Sequence, residues 1–247
     1  MRIHSRIRLA LAATIFFPMS AMAADYIPVV QEVPVEVGSG WYLRGDIGYS
    51  WGDKADKISY NVNSGGVDFP GDTRKPNFDD TFNLGAGVGY RFTDYFRADA
   101  TVDGFRSTLS ASDPWTAGTV SGSADFTAVS LMANGYVDLG TYVGFTPYIG
   151  AGLGSTYMNF SDLNATLPDG SMQSIAGDKD WRFTYALMAG VAYDVTKNMK
   201  LDLGYKYRHI KGGDMFDGTT SFGETVTGTN GDLSTHEVRV GLRYELW

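Results

Sequence analysis

The chain has 247 residues, among them 31 Gly, 15 Tyr, 14 Phe and no Cys, and a formal net charge of −8. That much glycine argues against a helix bundle, and the lack of Cys removes disulfides, thiol nucleophiles and Cys-ligated zinc or iron–sulfur sites. The acidic balance argues against nucleic acid as a partner.

Residues 1–23 read as an export signal: Arg2, Arg6 and Arg8 precede a short apolar run at 9–19, and Ala21, Met22 and Ala23 form a small-x-small cleavage site. Cleavage there leaves a net charge of −11. Residues 24–39, with Pro28 and Pro34, read as an extended periplasmic arm, and 40–247 as the folded body. The longest uncharged stretch after the signal, 139–161, contains five Gly and Pro147, so it makes a poor membrane helix. A closed barrel of strands remains as the way to cross a bilayer, because it needs only about ten alternating residues per crossing.

Alternation begins at 41–50, where Trp41, Leu43, Gly45, Ile47 and Tyr49 share one face and Arg44 and Asp46 lie on the other. A period of two with one apolar face is the mark of a strand. The pattern recurs at 82–92, 96–104, 129–137, 148–157, 182–193, 200–208 and 237–246, giving eight strands. Their apolar faces carry no charge. The opposite faces carry Arg44, Asp46, Arg91, Arg97, Asp99, Asp103, Arg182, Lys200, Asp202, Lys206, Arg208, Glu237, Arg239, Arg243 and Glu245.

A soluble sandwich would alternate in the same way, but the connections decide against it. Short turns after the second, fourth and sixth strands alternate with long connections at 52–80, 107–123, 158–180 and 211–232, the rhythm of a transmembrane barrel. Aromatics gather at both strand ends, with Trp41, Tyr90, Phe96 and Tyr193 beside the short turns and Tyr49, Phe82, Tyr157 and Trp181 beside the long ones. Two such girdles mark two membrane interfaces. The glycine-rich run at 84–90 fails as a nucleotide motif, since its Gly residues alternate on one strand face and no helix follows. The fold class is therefore all-β, an eight-stranded antiparallel transmembrane up-and-down barrel.

Together with the terminal strand HEVRVGLRYELW, these features resemble the small outer-membrane barrels of Gram-negative bacteria, above all the opacity-protein and porin-like surface-antigen families and, more distantly, the OmpA-type barrel. The resemblance implies location in the outer membrane and contact with its lipid and lipopolysaccharide. The last strand is similar to the signal read by the outer-membrane insertion machinery, carried here by Val238, Val240, Leu242, Tyr244, Leu246 and Trp247, although Trp247 is one residue out of phase.

An eight-stranded lumen is just wide enough to be filled by side chains. The fifteen inward charges are expected to interdigitate as ion pairs that seal it, with a narrow porin or ion path as the alternative. The long connections sum to −9 and are rich in Gly, Ser, Thr, Asn and Asp, so they are expected to be hydrated and mobile. The barrel is expected to serve envelope integrity and, through these connections, surface interaction, as adhesion to host surface molecules, antigen display, or bridging through divalent cations to lipopolysaccharide. Asp169, Asp178 and Asp180 are a calcium candidate without EF-hand spacing.

Some barrels of this size modify lipid A with Ser and His on the lipid face, and parity places His209, Ser234 and His236 outward near the outer rim. No aligned outward acid is evident, so the chain is expected to be non-enzymatic. Some porin-like surface antigens bind haem, which would fall here to exposed Tyr, Met215 or the two His; no motif supports it, and no cofactor or metal is expected.

Overall fold

The computed structural model describes residues 40–246 apart from 56–57, 74–76, 116–117, 167–168 and 221. The export signal, the arm at 24–39 and Trp247 lie outside the described residues. In chain order the strands are β1 (Trp41–Ala55), β2 (Ile58–Ser64), β3 (Val67–Thr73), β4 (Asn77–Phe78), β5 (Thr81–Arg91), β6 (Phe96–Trp115), β7 (Gly118–Asp138), β8 (Phe145–Phe160), β9 (Leu163–Thr166), β10 (Met172–Ile175), β11 (Lys179–Asp194), β12 (Met199–Ile210), β13 (Gly213–Thr219), β14 (Thr225–Asn230) and β15 (Leu233–Glu245).

Eight of them close a barrel in the order β1-β5-β6-β7-β8-β11-β12-β15 and back to β1, each antiparallel to both neighbours. Closure satisfies the backbone groups that lipid cannot. Along the crossing segments the outward positions are apolar and exposed, as at Leu43, Ile47, Leu84, Leu131, Leu187, Leu203 and Val240. Cross-strand aromatic pairs mark both rims: Trp41–Tyr90 and Phe145–Tyr193 at 5.3 and 4.7 Å between ring centroids at the short-turn end, Tyr49–Phe82 and Tyr157–Trp181 at 5.1 and 5.3 Å at the other.

Several strands run well past the membrane. β6 and β7 stay paired from Phe96↔Val137 to Trp115↔Gly118, and a 21-residue strand spans about 70 Å at roughly 3.3 Å per residue. The alternation at 96–104 and 129–137 stops earlier because the faces exchange character. Beyond Asp103 and Ser130 the inward positions become Phe105, Leu109, Phe126 and Ala128, all buried, while Arg106 and Asp125 point outward and pair at 3.2 Å. In lipid the charges are enclosed and the apolar side faces out; in water the same strands reverse this.

The long connections are also more ordered than their composition implies. β2 and β3 from the first and β13 and β14 from the fourth form one four-stranded sheet in the order β13-β14-β2-β3. The β9–β10 hairpin extends β7, and β4 extends β6. Ile58, Phe126, Phe160, Ile210, Met215, Phe216 and Leu233 belong to one buried apolar cluster on this side. The connections thus carry strands and a shared apolar cluster that their composition does not announce. Their polar residues cover a small core whose apolar members are spread over four segments, too thinly for any one of them to read as a strand.

Between β7 and β8 the tight turn carries Val143 at φ 51° and Gly144 at φ 81°. Two central residues with positive φ fit the twist of a hairpin, and a β-branched residue is poorly suited to that region. Val143→Asn is expected to raise stability by about 1 kcal/mol, read as a higher midpoint of thermal unfolding in detergent.

Candidate functional site

The inward charges stack in layers along the lumen. Nearest the short turns, Arg91 pairs with Glu245 and Lys200 with Asp194. Arg97 Nε lies 3.1 Å from Asp138 Oδ1, and its guanidinium sits 4.0 Å over the Tyr136 ring. Arg243 lies 3.6 Å from Asp202. In the middle layer Arg44 clamps Asp46 through Nε and Nη2 at 2.9 and 2.7 Å and reaches Asp99 through Nη1 at 2.8 Å. Tyr42 and Asn134 also donate to Asp99, at 3.1 and 2.7 Å. Arg239 approaches Met188 Sδ at 3.6 Å.

Above this, Asp103 of β6 accepts from Lys206 at 3.3 Å and from Arg208, both on β12 across the lumen. Glu237 lies 3.5 Å from Lys206 and 3.4 Å from Arg208, and Asn83 Nδ2 donates to it at 2.6 Å. A chain of hydroxyls, Ser130–Thr156–Thr184 at 2.9 and 2.7 Å, leads to the apolar cluster. Arg182 lies apart from these layers, at the outer mouth. It donates to Asp180 at 3.0 Å and Asn230 at 2.7 Å, tying β11 to the fourth connection.

Glycines make room for the large inward side chains. A Cβ on Gly89 would overlap the Tyr42 ring and one on Gly241 the Asp46 carboxylate. Among the described residues the charged layers include two cavities of about 10 Å³, one lined in part by Asp46, Asn83 and Glu237, the other by Met132, Met188 and Arg208. Each is near the least volume that holds one water.

Parity alone left nine inward bases facing six inward acids. Asp138 and Asp194, at the short turns, and Asp180, at the outer mouth, raise the acids to nine. These three sit at strand ends that the alternation assigns to connections.

On the outer sheet, Asn61 and Asn63 donate to Asp68 at 3.0 and 2.8 Å across the β2–β3 hairpin. The Asn63 and Asn61 amides hold this carboxyl below its usual range. Its contribution to hairpin order is therefore complete above the ordinary carboxylate range near pH 4 and is lost as pH falls through the depressed value. The side-chain amide NMR signals of Asn61 and Asn63 should lose dispersion in that acid window and keep it at neutral pH.

Asp169, Asp178 and Asp180 are not brought together. Asp169 accepts from Ser171, Asp178 from the Lys179 N–H and Asp180 from Arg182, and among the described residues no group of three His, Asp or Glu is arranged to hold a metal ion. Met215 is buried in the apolar cluster, which removes it as an exposed haem ligand.

At the outer rim, on the outward face, β12 and β15 place His209 opposite Ser234. His209 Nδ1 is 3.0 Å from Ser234 Oγ, and His209 Nε2 is 3.0 Å from Asp232 Oδ2. Asp232 also accepts from the Gly212 N–H at 2.9 Å and from Lys211 at 3.1 Å. The Gly212 N–H first, then Lys211 and His209, hold the carboxyl below its usual range. The reading that no outward acid is aligned with the Ser–His pair is thus corrected. Asp232 shares parity with Ser234 and His236, a signal available in the sequence but obscured by assigning 211–232 to a loop. His236 turns instead to Tyr205, with Nδ1 2.6 Å from its hydroxyl.

The family model described as "Outer membrane protein beta-barrel domain" matches residues 9–245. The chain belongs to this family. As a member of the outer-membrane β-barrel family it resides in the bacterial outer membrane, with its exposed apolar band against lipid. An uncharacterised protein of Brucella abortus (strain 2308) is 34% identical over 274 aligned residues, covering 92% of this chain and 93% of the relative. A Rickettsia felis protein that bears the name "Putative adhesin" is 26% identical over 243 residues, covering 92% and 97%. Among solved structures, the outer membrane protein OprG from Pseudomonas aeruginosa is similar with a TM-score of 0.55 and 17% identity, covering 84% of this chain and 97% of its own, a likeness of fold.

Proposed function

We propose that this outer-membrane barrel is a sealed scaffold that supports the envelope and displays a folded acidic platform for adhesion to host-cell surface protein. The observation that carries the reading is the sheet built jointly from the first and fourth connections. Its β3 strand ends the sheet with Val67 and Phe69 exposed, and Phe222 is exposed in the β13–β14 turn region. Exposed apolar groups among Asp68, Asp72 and Asp217 fit a partner surface that is basic at its edge and apolar at its centre. The name of the Rickettsia felis relative supports the same reading.

The buried ion pairs and inward side chains that fill the charged layers support a lumen closed to wide passage, so purified monomer in a planar bilayer should give no large, stable conductance. Val238, Val240, Leu242 and Tyr244 form the outward row of β15, which supports a role for this strand as the segment read by the insertion machinery.

The adhesion test uses whole cells displaying the barrel. A Val67→Ser, Phe69→Ser double variant should reach the outer membrane at the level of the parent and bind cultured host cells several-fold less. Undiminished binding by that variant would exclude the platform.

A further inference from the structure

We infer that Ser234, His209 and Asp232 form an esterase site on the lipid-facing rim, acting on long-chain acyl esters of outer-leaflet lipid. The inference is independent of the adhesion platform, which lies on other residues.

A serine becomes a nucleophile when a base stands within hydrogen-bond reach and a third group orients the base. Here the carboxylate on Nε2 fixes that nitrogen as the donor, which leaves Nδ1 of the neutral imidazole as the acceptor facing the Ser234 hydroxyl. The imidazole is further held by stacking on Tyr185, with ring centroids 4.8 Å apart. Tyr207 Oη lies 3.1 Å from Ser234 Oγ and provides an O–H donor beside the nucleophile.

Location names the substrate class. The cluster lies on the outward face, beyond Leu187, Leu203 and Val238, at the level where the outer aromatic girdle meets the headgroups. Acyl chains lying against those side chains would bring their ester carbonyls to Ser234. A purely cohesive set of polar groups at an interface needs neither a base aimed at a hydroxyl nor a carboxylate aimed at that base.

In the step assigned, Ser234 Oγ gives its proton to His209 Nδ1 and bonds to the ester carbonyl carbon. The carbonyl–alkoxy bond then breaks, and the departing alcohol takes the proton from His209. Water, activated by the same nitrogen, releases the acyl group from Ser234 as free fatty acid. The balance is ester plus water to acid plus alcohol. Asp232 acts as a positioning residue, and Tyr207 is the donor for charge developing on the carbonyl oxygen.

The test incubates the full-length barrel with phosphatidylethanolamine vesicles in one arm and with purified lipopolysaccharide in the other, measuring released fatty acid by mass spectrometry. Ser234→Ala should abolish release, and Asp232→Asn should lower kcat by at least about 100-fold with KM little changed. Both variants should keep the parent's heat-dependent gel mobility, which reports the folded barrel. A fluorophosphonate probe should label Ser234 in the parent and fail to label the His209→Ala variant. Release in either arm identifies the lipid source and supports the site. No release in both arms, or equal release by a folded Ser234→Ala variant, overturns it.

Discussion

Asp103→Ala is expected to destabilise the barrel by about 3–5 kcal/mol, the usual cost of removing one partner from a buried charge cluster. Asp103 accepts from both Lys206 and Arg208, and all three side chains are nearly inaccessible. Its loss leaves two cations to share Glu237 beside two cavities of only about 10 Å³. The thermal midpoint in detergent should fall on the order of 10 °C. The Arg106–Asp125 pair is the internal control, since Arg106 is 72% exposed and its loss should cost less than about 1 kcal/mol. A midpoint for Asp103→Ala within a degree or two of Arg106→Ala would mean that the inward charges contribute little to holding the wall together.

Leu187→Arg should impair insertion by about 2–4 kcal/mol, the cost of a cation at the bilayer midplane. Leu187 is 54% exposed on the outward face, and it lies midway along β11 between Trp181 and Tyr193, which sit in opposite girdles. Leu131→Arg should cost less, on the order of 1–2 kcal/mol, because Leu131 is two positions from Val129, the partner of the girdle residue Tyr157. Its longer side chain can reach the headgroups. Asp68→Ala, on the outer sheet, should leave assembly unchanged. Heat-dependent gel mobility of membrane fractions reads all three, and normal assembly of Leu187→Arg would show that β11 faces lipid with its other side.

The barrel was legible in the sequence wherever a strand crosses lipid, because there the two faces obey opposite solvents at every second residue. It became illegible where the solvents change. At Phe105 and Phe126 the inward row turns apolar while the outward row turns polar, so a search for an uncharged outward face ends eleven residues before β6 does. Inward direction could be read from parity, but partners could not, since Asp103 meets β12 only after closure. Asp138 and Asp194 were missed because they close turns and lumen layers at once. Asp232 was missed for a related reason: the strand it precedes begins at Leu233, and its carboxylate reaches back to His209 across the β12–β15 pair.

The most direct test of the whole account is lipid contact residue by residue along β11. With no native Cys to remove, single Cys variants at 185 through 191 can be spin-labelled in lipid bilayers and read for collision with dissolved oxygen. Positions 185, 187, 189 and 191 should show high oxygen access and 186, 188 and 190 low access, with a period of two. Uniform access, or high values at 186, 188 and 190, would contradict a wall with its charge-free side in lipid and its charges enclosed.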